Sequence, residues 1–333
     1  MASEFDIIDG ITRRFDTPDG VSLGIGDDAA VLEDGRFNLV TTDMLVEEVH
    51  FRSDWCSPAD IGWRALTASL SDIAAMGGRC GPYVANVAMT GEEQGFVDGI
   101  LDGLESAAEM AGSAVSTVPI GGDLTGSRGP SVVSITLLGE SLANGPILRS
   151  GAIPGDHIVV TGQPGRAAAG LAILRETLEL KGDLDDEPLV EAYRRPVARC
   201  DIGGLLGETV GAHSLIDVSD GLRADLGHIL DASGVGARLD WQALPLDDAL
   251  AELPLTDDEL RRDYVLRGGE DFELLMTLDD RQWSELKALE LDVGLHRIGT
   301  VLPDEGVVEW TGLPDGIEPG SRGGWDHFRP RSG

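Results

Sequence analysis

A mixed α/β fold in two domains is predicted by three features of the sequence. Short runs of β-branched and apolar residues alternate with longer stretches of helical periodicity. The length of 333 residues suits two domains of ordinary size or one large domain. A run rich in Gly, Pro and Asn at residues 144–155 separates two strand-like segments. We therefore predict one domain at residues 1–148 and a second at residues 149–333.

The predicted elements follow one another along the whole chain. The clearest helix covers residues 58–76, because Ser57 suits the N-cap, Pro58 the first helical position, and Gly77 and Gly78 the stop. The other predicted helices are residues 93–111, 165–180, 197–210 and 222–232. The predicted strands are residues 37–42, 131–139, 157–161, 214–218 and 272–277.

The net charge excludes several classes of partner. Acidic residues outnumber basic ones 59 to 25, which gives a formal charge of −34. Such a surface repels phosphate backbones and anionic lipid, so we expect neither nucleic acid nor a membrane as a partner. Lys181 and Lys287 are the only lysines. This dispersed acidic excess indicates a halophilic protein, in which salt screens the self-repulsion; the alternative is an acidic protein from ordinary salt.

The cysteines and the N-terminus indicate the compartment. Cys56, Cys80 and Cys200 are far apart in the sequence and form no CxxC pair, so we expect reduced thiols rather than disulfides or a zinc site. The first residues lack the basic and apolar regions of a signal peptide, and no apolar run is long enough to span a bilayer. We therefore expect a soluble cytoplasmic protein.

The familiar phosphate-binding motifs are absent. Neither lysine follows a glycine, so a P-loop is excluded, and the signatures of protein kinases are missing. The sequence Gly24-Ile25-Gly26 begins like a dinucleotide-binding fingerprint. However, Asp27 and Asp28 follow it, and their carboxylates would repel a pyrophosphate.

Acidic turns beside strand and helix ends take the place of these motifs. Hard cations such as Mg²⁺ prefer oxygen ligands, usually one or two carboxylates together with water and substrate phosphates. Several carboxylates with two threonine hydroxyls could hold more than one Mg²⁺, which would bind phosphates that the carboxylates alone repel. We therefore predict a Mg²⁺-dependent enzyme of phosphorylated ligands. The acidic turns are residues 26–28, 41–43, 121–123, 217–221 and 268–271, and the sixth acidic position is Asp72.

Each acidic position also has a purely structural interpretation. Asp-Gly and Gly-Asp pairs are common in turns, and many acids of this chain are expected at its surface. Asp72 is a stronger candidate, because a carboxylate within an apolar helix is costly unless it is paired or bound to a metal. Residues 217–220 precede a predicted helix whose N-terminus favours anions, although Ser219 or Asp220 could simply cap that helix.

Three further residues are candidates for ligand contact. His50 could bind an anionic substrate or be a half-buried structural histidine. Arg149 could hold a nucleotide phosphate through its fork of donors, or be a surface charge. Trp325 could stack on a planar ring, or anchor the C-terminal segment. The residues alone leave both interpretations open in each case.

A series of motifs in order resembles the thiamine-monophosphate kinase family over residues 20–328. The motifs are GIGDDAAVL, TTDMLVEEVHF, ALTASLSDIAAMGG, IGGDLTGS, LRSGAIPGD, IDVSDGLRADLGHIL, LRGGEDFELLMT and GGWDHF. The resemblance implies a two-domain aminoimidazole-ribonucleotide-synthetase-like fold with mixed sheets, and a homodimer in which the N-terminal sheets pair. It implies that residues 1–148 bind ATP and Mg²⁺ and mediate dimerisation, whereas residues 149–333 form a C-terminal α/β domain. The implied reaction moves the γ-phosphoryl group of ATP onto thiamine monophosphate, giving thiamine diphosphate and ADP without a phosphoenzyme.

The family's functional residues are carried over only where its motifs match. The implied metal ligands, for several Mg²⁺ ions, are Asp28, Thr41, Thr42, Asp43, Asp72, Asp123, Asp217 and Asp220. The implied ATP contacts are Gly122, Asp123, Arg149 and Ser219. The implied thiamine-monophosphate contacts are His50, Glu270 and Trp325. No catalytic side chain is implied, because the acceptor phosphate is already ionised and Mg²⁺ reduces the repulsion between the two polyanions.

The sequence departs from the family pattern at a few places, and two other classes of function stay open. Glu47 and Glu48 add charge before His50, Thr41 stands where some relatives have Ser, and Asp27 is expected beside the site rather than as a ligand. Residues 106–118 contain no Tyr where relatives have an aromatic ATP contact, so the adenine pocket is unassigned. The alternatives are a sister ATP-dependent synthetase of the same superfamily and a non-catalytic nucleotide-binding scaffold.

Overall fold

Two six-stranded mixed sheets with helices packed against them form the structure. The computed structural model describes residues 8, 11–13, 17–90, 94–112, 117–178, 187–252 and 258–313. The first sheet contains β1 (Val21–Leu23), β2 (Ala30–Leu32), β3 (Leu39–Val46), β4 (Gly78–Met89), β5 (Pro119–Gly126) and β6 (Val132–Ser141). The second sheet contains β7 (His157–Thr161), β8 (Ser214–Val218), β9 (Gly236–Asp240), β10 (Glu273–Leu278), β11 (Leu295–Leu302) and β12 (Val308–Thr311).

The helices follow the same two-part arrangement. Helix α1 (Pro58–Ala75) packs against the first sheet, and α2 (Gln94–Met110) packs against α1. Seven further helices have described bounds: α3 (Arg166–Leu174), α4 (Glu187–Arg194), α5 (Cys200–Leu205), α6 (Leu222–Ser233), α7 (Asp248–Glu252), α8 (Asp258–Arg267) and α9 (Asp280–Lys287). A π-helical turn at Leu206–Val210 follows α5, and a 3₁₀ turn at Trp241–Ala243 follows β9.

Each sheet is antiparallel except for one pair at an edge. The first sheet has the strand order β1-β2-β3-β6-β4-β5, and β5 pairs with β4 in parallel. The second has the order β12-β9-β11-β7-β10-β8, and β12 pairs with β9 in parallel. Strand β3 therefore lies inside the first sheet, whereas β5 and β8 lie at edges. These positions decide which acidic residues can meet.

Helix α1 packs against both sheets and joins the two halves of the molecule. It begins with a capping box, in which the Asp60 carboxylate accepts the Ser57 backbone N–H at 2.9 Å and the Ser57 hydroxyl accepts the Asp60 N–H. Most of its side chains are buried. It contacts β3, β4 and β6 of the first sheet, and β8, β10 and α5 beyond them. Polar side chains of α1 are therefore placed at the boundary between the two sheets.

The predicted fold class is confirmed, but several predicted boundaries were wrong. The strand expected at residues 37–42 is Leu39–Val46. The helix expected at 165–180 ends at Leu174, because the chain turns back there and Glu176 adopts a left-handed φ of 56°. Its last expected residues, 179 and 180, lie outside the described residues. The helix expected at 197–210 is the short α5 and the π-helical turn. The domain boundary near residue 148 stays a prediction.

The expected free thiols are present. Cys56, Cys80 and Cys200 form no disulfide, and the Sγ atoms of Cys80 and Cys200 lie 3.8 Å apart. Across the described ranges, no helix combines the length and the apolar character that crossing a bilayer requires.

Candidate active site

A cavity of about 690 Å³ contains most of the residues predicted from the sequence. Side chains from both halves of the chain line it, together with the glycine-rich turn at residues 268–269. Tyr193 of α4 and Tyr264 of α8 supply aromatic surface. The predicted residues in its lining are Asp28, Thr41, Thr42, Asp43, His50, Asp72, Arg149, Asp217, Ser219, Asp220 and Glu270.

Three carboxylates meet at the base of the cavity, and we call Asp28, Asp72 and Asp217 the carboxylate cluster. Each offers an oxygen that lies within 4.8 Å of an oxygen of the other two. They come from the loop before β2, from α1 and from β8. The Thr41 hydroxyl donates a hydrogen bond to Asp72 Oδ2, and the Ser71 hydroxyl donates to Asp217 Oδ2 at 2.7 Å. The cluster therefore depends on the packing of three separate elements.

Burial and mutual repulsion make the charged form of this cluster unfavourable. Burial, with repulsion from Asp28, raises the pKa of Asp217 to about 8. Burial also raises the pKa of Asp72 well above its ordinary value, and Asp43, Asp217 and Asp28 add to the effect. The pKa of Asp43 is raised to about 6, again chiefly by burial. In the absence of a cation, Asp217 therefore retains a proton near neutral pH, whereas Asp43 is mostly ionised there.

Arg149 neutralises part of this charge. Its Nη2 donates to Asp28 Oδ1 at 2.6 Å, and its backbone N–H donates to Asp27 Oδ2 at 3.1 Å. Asp27 does not line the cavity, and burial together with repulsion from Asp28 raises its pKa to about 6. The other carboxylate oxygen of Asp28, Oδ2, is buried and has no hydrogen-bond partner among the described residues. A buried carboxylate oxygen without a donor is a suitable ligand for a hard cation.

Asp225 shapes the turn that carries Ser219 and Asp220. Its Oδ2 accepts the backbone N–H groups of Ser219, Asp220 and Gly221 at 3.0–3.2 Å. Gly221, and not Ser219 or Asp220, occupies the N-cap position of α6. Burial raises the pKa of Asp225 well above its ordinary value, and repulsion from Asp220 and Asp217 contributes. Sequence reasoning missed Asp225, whose spacing from the turn was the available signal.

His50 and Glu270 approach the cavity from opposite halves of the chain. The Val46 backbone N–H donates to His50 Nδ1 at 3.0 Å, which closes the turn after β3. Glu270 has a left-handed φ of 66°, an uncommon conformation for a residue with a side chain. Its backbone N–H donates to the Ser219 carbonyl oxygen at 2.8 Å. The structure thus brings the predicted substrate residue Glu270 next to the predicted ATP residue Ser219.

Gly122 and Asp123 are not among the described residues that line the cavity. Gly122 and Asp123 lie on β5, which is exposed along its whole length. A Cβ atom at Gly122 would come within 1.9 Å of the Ala85 carbonyl oxygen, so the close approach of β4 itself requires glycine there. Trp325 lies outside the described residues. Of residues 106–118, where the adenine contact was sought, residues 113–116 also lie outside them.

Comparison with known families assigns the two-sheet fold to the AIR synthase related proteins. The family model described as AIR synthase related protein, N-terminal domain, matches residues 26–141. The corresponding C-terminal domain model matches residues 154–311. These matches correspond to the two sheets.

Individual relatives indicate which family within the AIR synthase related proteins this chain belongs to. A thiamine-monophosphate kinase of Mycobacterium tuberculosis is 37% identical over 329 residues, covering 98% of this chain and 91% of the relative. The structure of AaThiL complexed with AMPPCP and TMP is similar with a TM-score of 0.82 at 31% identity, covering 98% and 97% of the two chains. The thiamine-monophosphate kinase from Stenotrophomonas maltophilia K279a matches with a TM-score of 0.74 at 37% identity, covering 93% and 96%. This chain belongs to the thiamine-monophosphate kinase family.

The raised pKa values predict how stability depends on pH. An unfolded aspartate titrates near pH 4, whereas the pKa values of Asp43 and Asp217 are about 6 and about 8 in the fold. Between about pH 4 and pH 8 the folded chain therefore binds more protons than the unfolded chain, so stability falls as the pH rises. Without divalent cations, we expect the melting temperature to fall over this range, and Asp217→Asn to reduce the slope.

A surface variant separates this effect from general charge repulsion. Asp98→Asn removes one exposed carboxylate from α2 and should leave the slope of melting temperature against pH unchanged. Equal slopes for wild type and Asp217→Asn would show that the carboxylate cluster does not hold extra protons in the fold.

Proposed function

We propose that this protein is an ATP-dependent phosphotransferase that converts thiamine monophosphate and ATP into thiamine diphosphate and ADP. The observation that carries the proposal is the carboxylate cluster, which shares one cavity with Arg149, His50 and Glu270. The similarity to thiamine-monophosphate kinases over nearly the whole chain supports the same reaction. So does AaThiL, which binds an ATP analogue and TMP in a fold of the same shape.

The donor set of the cavity fits Mg²⁺. The carboxylate cluster offers three oxygens within 4.8 Å of one another, and one buried carboxylate oxygen of Asp28 has no hydrogen-bond donor among the described residues. When bound, Mg²⁺ would neutralise phosphate charge and align the transferred group with its acceptor. The proposed ligands are Asp28, Thr41, Thr42, Asp43, Asp72, Asp123, Asp217 and Asp220.

The chain's own residues position the phosphates. Arg149 offers a planar fork of donors next to the carboxylate cluster, which suits a nucleotide phosphate. Ser219 lies in the turn that Asp225 fixes, so its position is set before ATP arrives. The acceptor phosphate is already ionised near neutral pH, so transfer needs no side chain as a base. The proposed transfer is direct and in line, and no phosphoenzyme forms.

The thiamine moiety requires different chemistry, because its thiazolium ring carries a positive charge. The Glu270 carboxylate in the cavity provides an opposite charge. His50 belongs to the same cavity lining, and Trp325 is the proposed aromatic contact. The phosphate end of thiamine monophosphate would therefore contact Mg²⁺ and Arg149, and its thiazolium end would contact the Glu270 carboxylate. We also propose that the enzyme works in the cytoplasm and at high salt, as its charge of −34 favours.

A product assay in molar KCl tests the reaction. Purified protein with ATP, Mg²⁺ and thiamine monophosphate should give equal amounts of thiamine diphosphate and ADP, and EDTA should stop both. Asp72→Asn should reduce turnover by roughly 10²-fold or more, because it removes a carboxylate from the phosphate-aligning site. Its melting temperature should not fall, because the same change removes repulsion within the cluster.

The outcomes separate this function from its alternatives. Asp98→Asn, at the surface of α2, is the matched control and should keep wild-type turnover. ADP formation only with another acceptor would assign the chain to a sister synthetase. ATP binding without any product would make it a scaffold. Wild-type turnover by Asp72→Asn would remove this residue from the proposed ligands.

The site is proposed to be completed in a homodimer. Strand β5 is an edge strand whose outer side pairs with no other described strand, and Ile120 and Leu124 are 63% and 59% exposed. Proteins cover such an edge, and a second copy related by two-fold symmetry does so with its own β5. Asp123 pairs through Asn86 and Ser134 with Met44 on β3, so about 14 Å separates its strand from β3. We therefore assign Asp123 and Gly122 to the cavity of the second copy.

Mixing two inactive variants tests this arrangement. Asp72→Asn and Asp123→Asn should each form inactive dimers. In a mixed dimer, one cavity carries both changes and the other carries neither, so random mixing should restore about a quarter of wild-type activity. Absence of any recovery in mixtures that exchange subunits, checked with differently tagged chains, would place Asp123 in the cavity of its own chain. A monomer by light scattering would exclude the dimer.

A further inference from the structure

Arg64 lies behind the wall of the cavity and belongs to none of the predicted ligand sets. It projects from the middle of α1 and is 1% exposed. A buried guanidinium is costly unless its charge is compensated and its donors are used. Its partners therefore indicate why the chain keeps a cation at this position.

Three segments of the chain meet at this guanidinium. Its Nη2 donates to Glu270 Oε1 at 2.6 Å and to the His50 carbonyl oxygen at 3.3 Å. Its Nη1 donates to the Tyr193 carbonyl oxygen, and the guanidinium carbon lies 4.1 Å from the centre of the Tyr193 ring. Burial works against the charge, but Glu270 and Tyr193 raise the pKa of Arg64 overall. A permanent cation therefore links α1, the turn after β3, α4 and the loop before β10.

These bonds of Arg64 fix the positions of Glu270 and His50 on the cavity side. Arg64 holds one carboxylate oxygen of Glu270, while the Glu270 side chain stays 28% exposed in the cavity. The Tyr193 hydroxyl donates to the same His50 carbonyl oxygen at 2.8 Å. His50 and Glu270 belong to different halves of the chain, and Arg64 bonds to both through a single nitrogen. The spacing between them is therefore set by Arg64.

We propose that Arg64 is a positioning residue for the thiamine end of the substrate, which fixes Glu270 and the His50 turn at the spacing that receives the organic cation. This inference rests on the proposed function and deepens it. Arg64 does not line the cavity, so it acts through the two residues that do. In the described part of the chain, Arg64 has no hydrogen bond to any of the predicted metal or ATP residues that line this cavity. Its loss should therefore affect one substrate and spare the other.

The test compares the two Michaelis constants in molar KCl. Arg64→Met should raise KM for thiamine monophosphate roughly 10- to 100-fold, the range expected for loss of charge-assisted hydrogen bonds. KM for ATP should change by less than about twofold, since the cluster is untouched. Arg64→Lys keeps the charge but reaches fewer of the three partners, so it should recover part of the loss. Glu270→Gln should show the same selectivity, and adding Arg64→Met to it should cost little more.

Arg195→Met is the matched control. Arg195 also ties α1 to the segment after α4, through a 2.7 Å bond to Asp60 and a cation–π contact with Trp63. The Arg195→Met change should lower the melting temperature without altering KM for thiamine monophosphate or for ATP. The inference is overturned if Arg64→Met leaves KM for thiamine monophosphate unchanged, raises both constants alike, or combines with Glu270→Gln multiplicatively. If Arg64→Met does not fold, Arg64→Lys decides by the same criteria. A wild type that neither binds nor phosphorylates thiamine monophosphate would refute the proposed function, and this inference with it.

Discussion

The carboxylate cluster is the constraint on which the rest of the site depends. Asp28, Asp72 and Asp217 cannot all be ionised within 4.8 Å of one another in a buried place unless a cation joins them. The packing that forces them together is the contact of α1 with both sheets, which the capping box and the apolar side chains of α1 stabilise. The fold thus holds an unfavourable arrangement of like charges in place, and cation binding relieves it.

Two arginines form the charged hydrogen bonds on either side of the cavity wall, Arg149 to Asp28 and Arg64 to Glu270. Arg149 lies in the cavity beside Asp28, where its donors can pass from a carboxylate to a phosphate. Arg64 lies behind the cavity and is committed to Glu270, His50 and Tyr193. Both positions use the fixed fork of guanidinium, which a lysine does not provide. An enzyme that brings together a polyanion and an organic cation can therefore work with very few lysines.

Sequence reasoning predicted the fold class and much of the lining of the cavity, but not all of it. Asp72 was identifiable because a carboxylate interrupts an apolar helix. Arg64 is a charged residue in the same apolar helix, but it was not predicted as a functional residue. The bonds of Arg64 to Glu270 and His50 join residues distant in sequence, and periodicity does not register such contacts. Strand β5 was missed because its glycines are typical of turns, whereas pairing with β4 makes it a strand. The proposed role of Asp123 depends on how two copies of the chain pair, which the sequence of one chain does not specify.

Proton release on Mg²⁺ binding shows whether the carboxylate cluster holds protons that a cation replaces. Titration calorimetry at pH 7, in buffers of different ionisation enthalpy and without nucleotide, measures the protons that leave as the cation binds. We expect release of about one proton or more per chain, because the cation replaces protons held by the cluster, and a smaller release for Asp217→Asn. Binding of Mg²⁺ without proton release, or an equal release from the variant, would contradict this expectation.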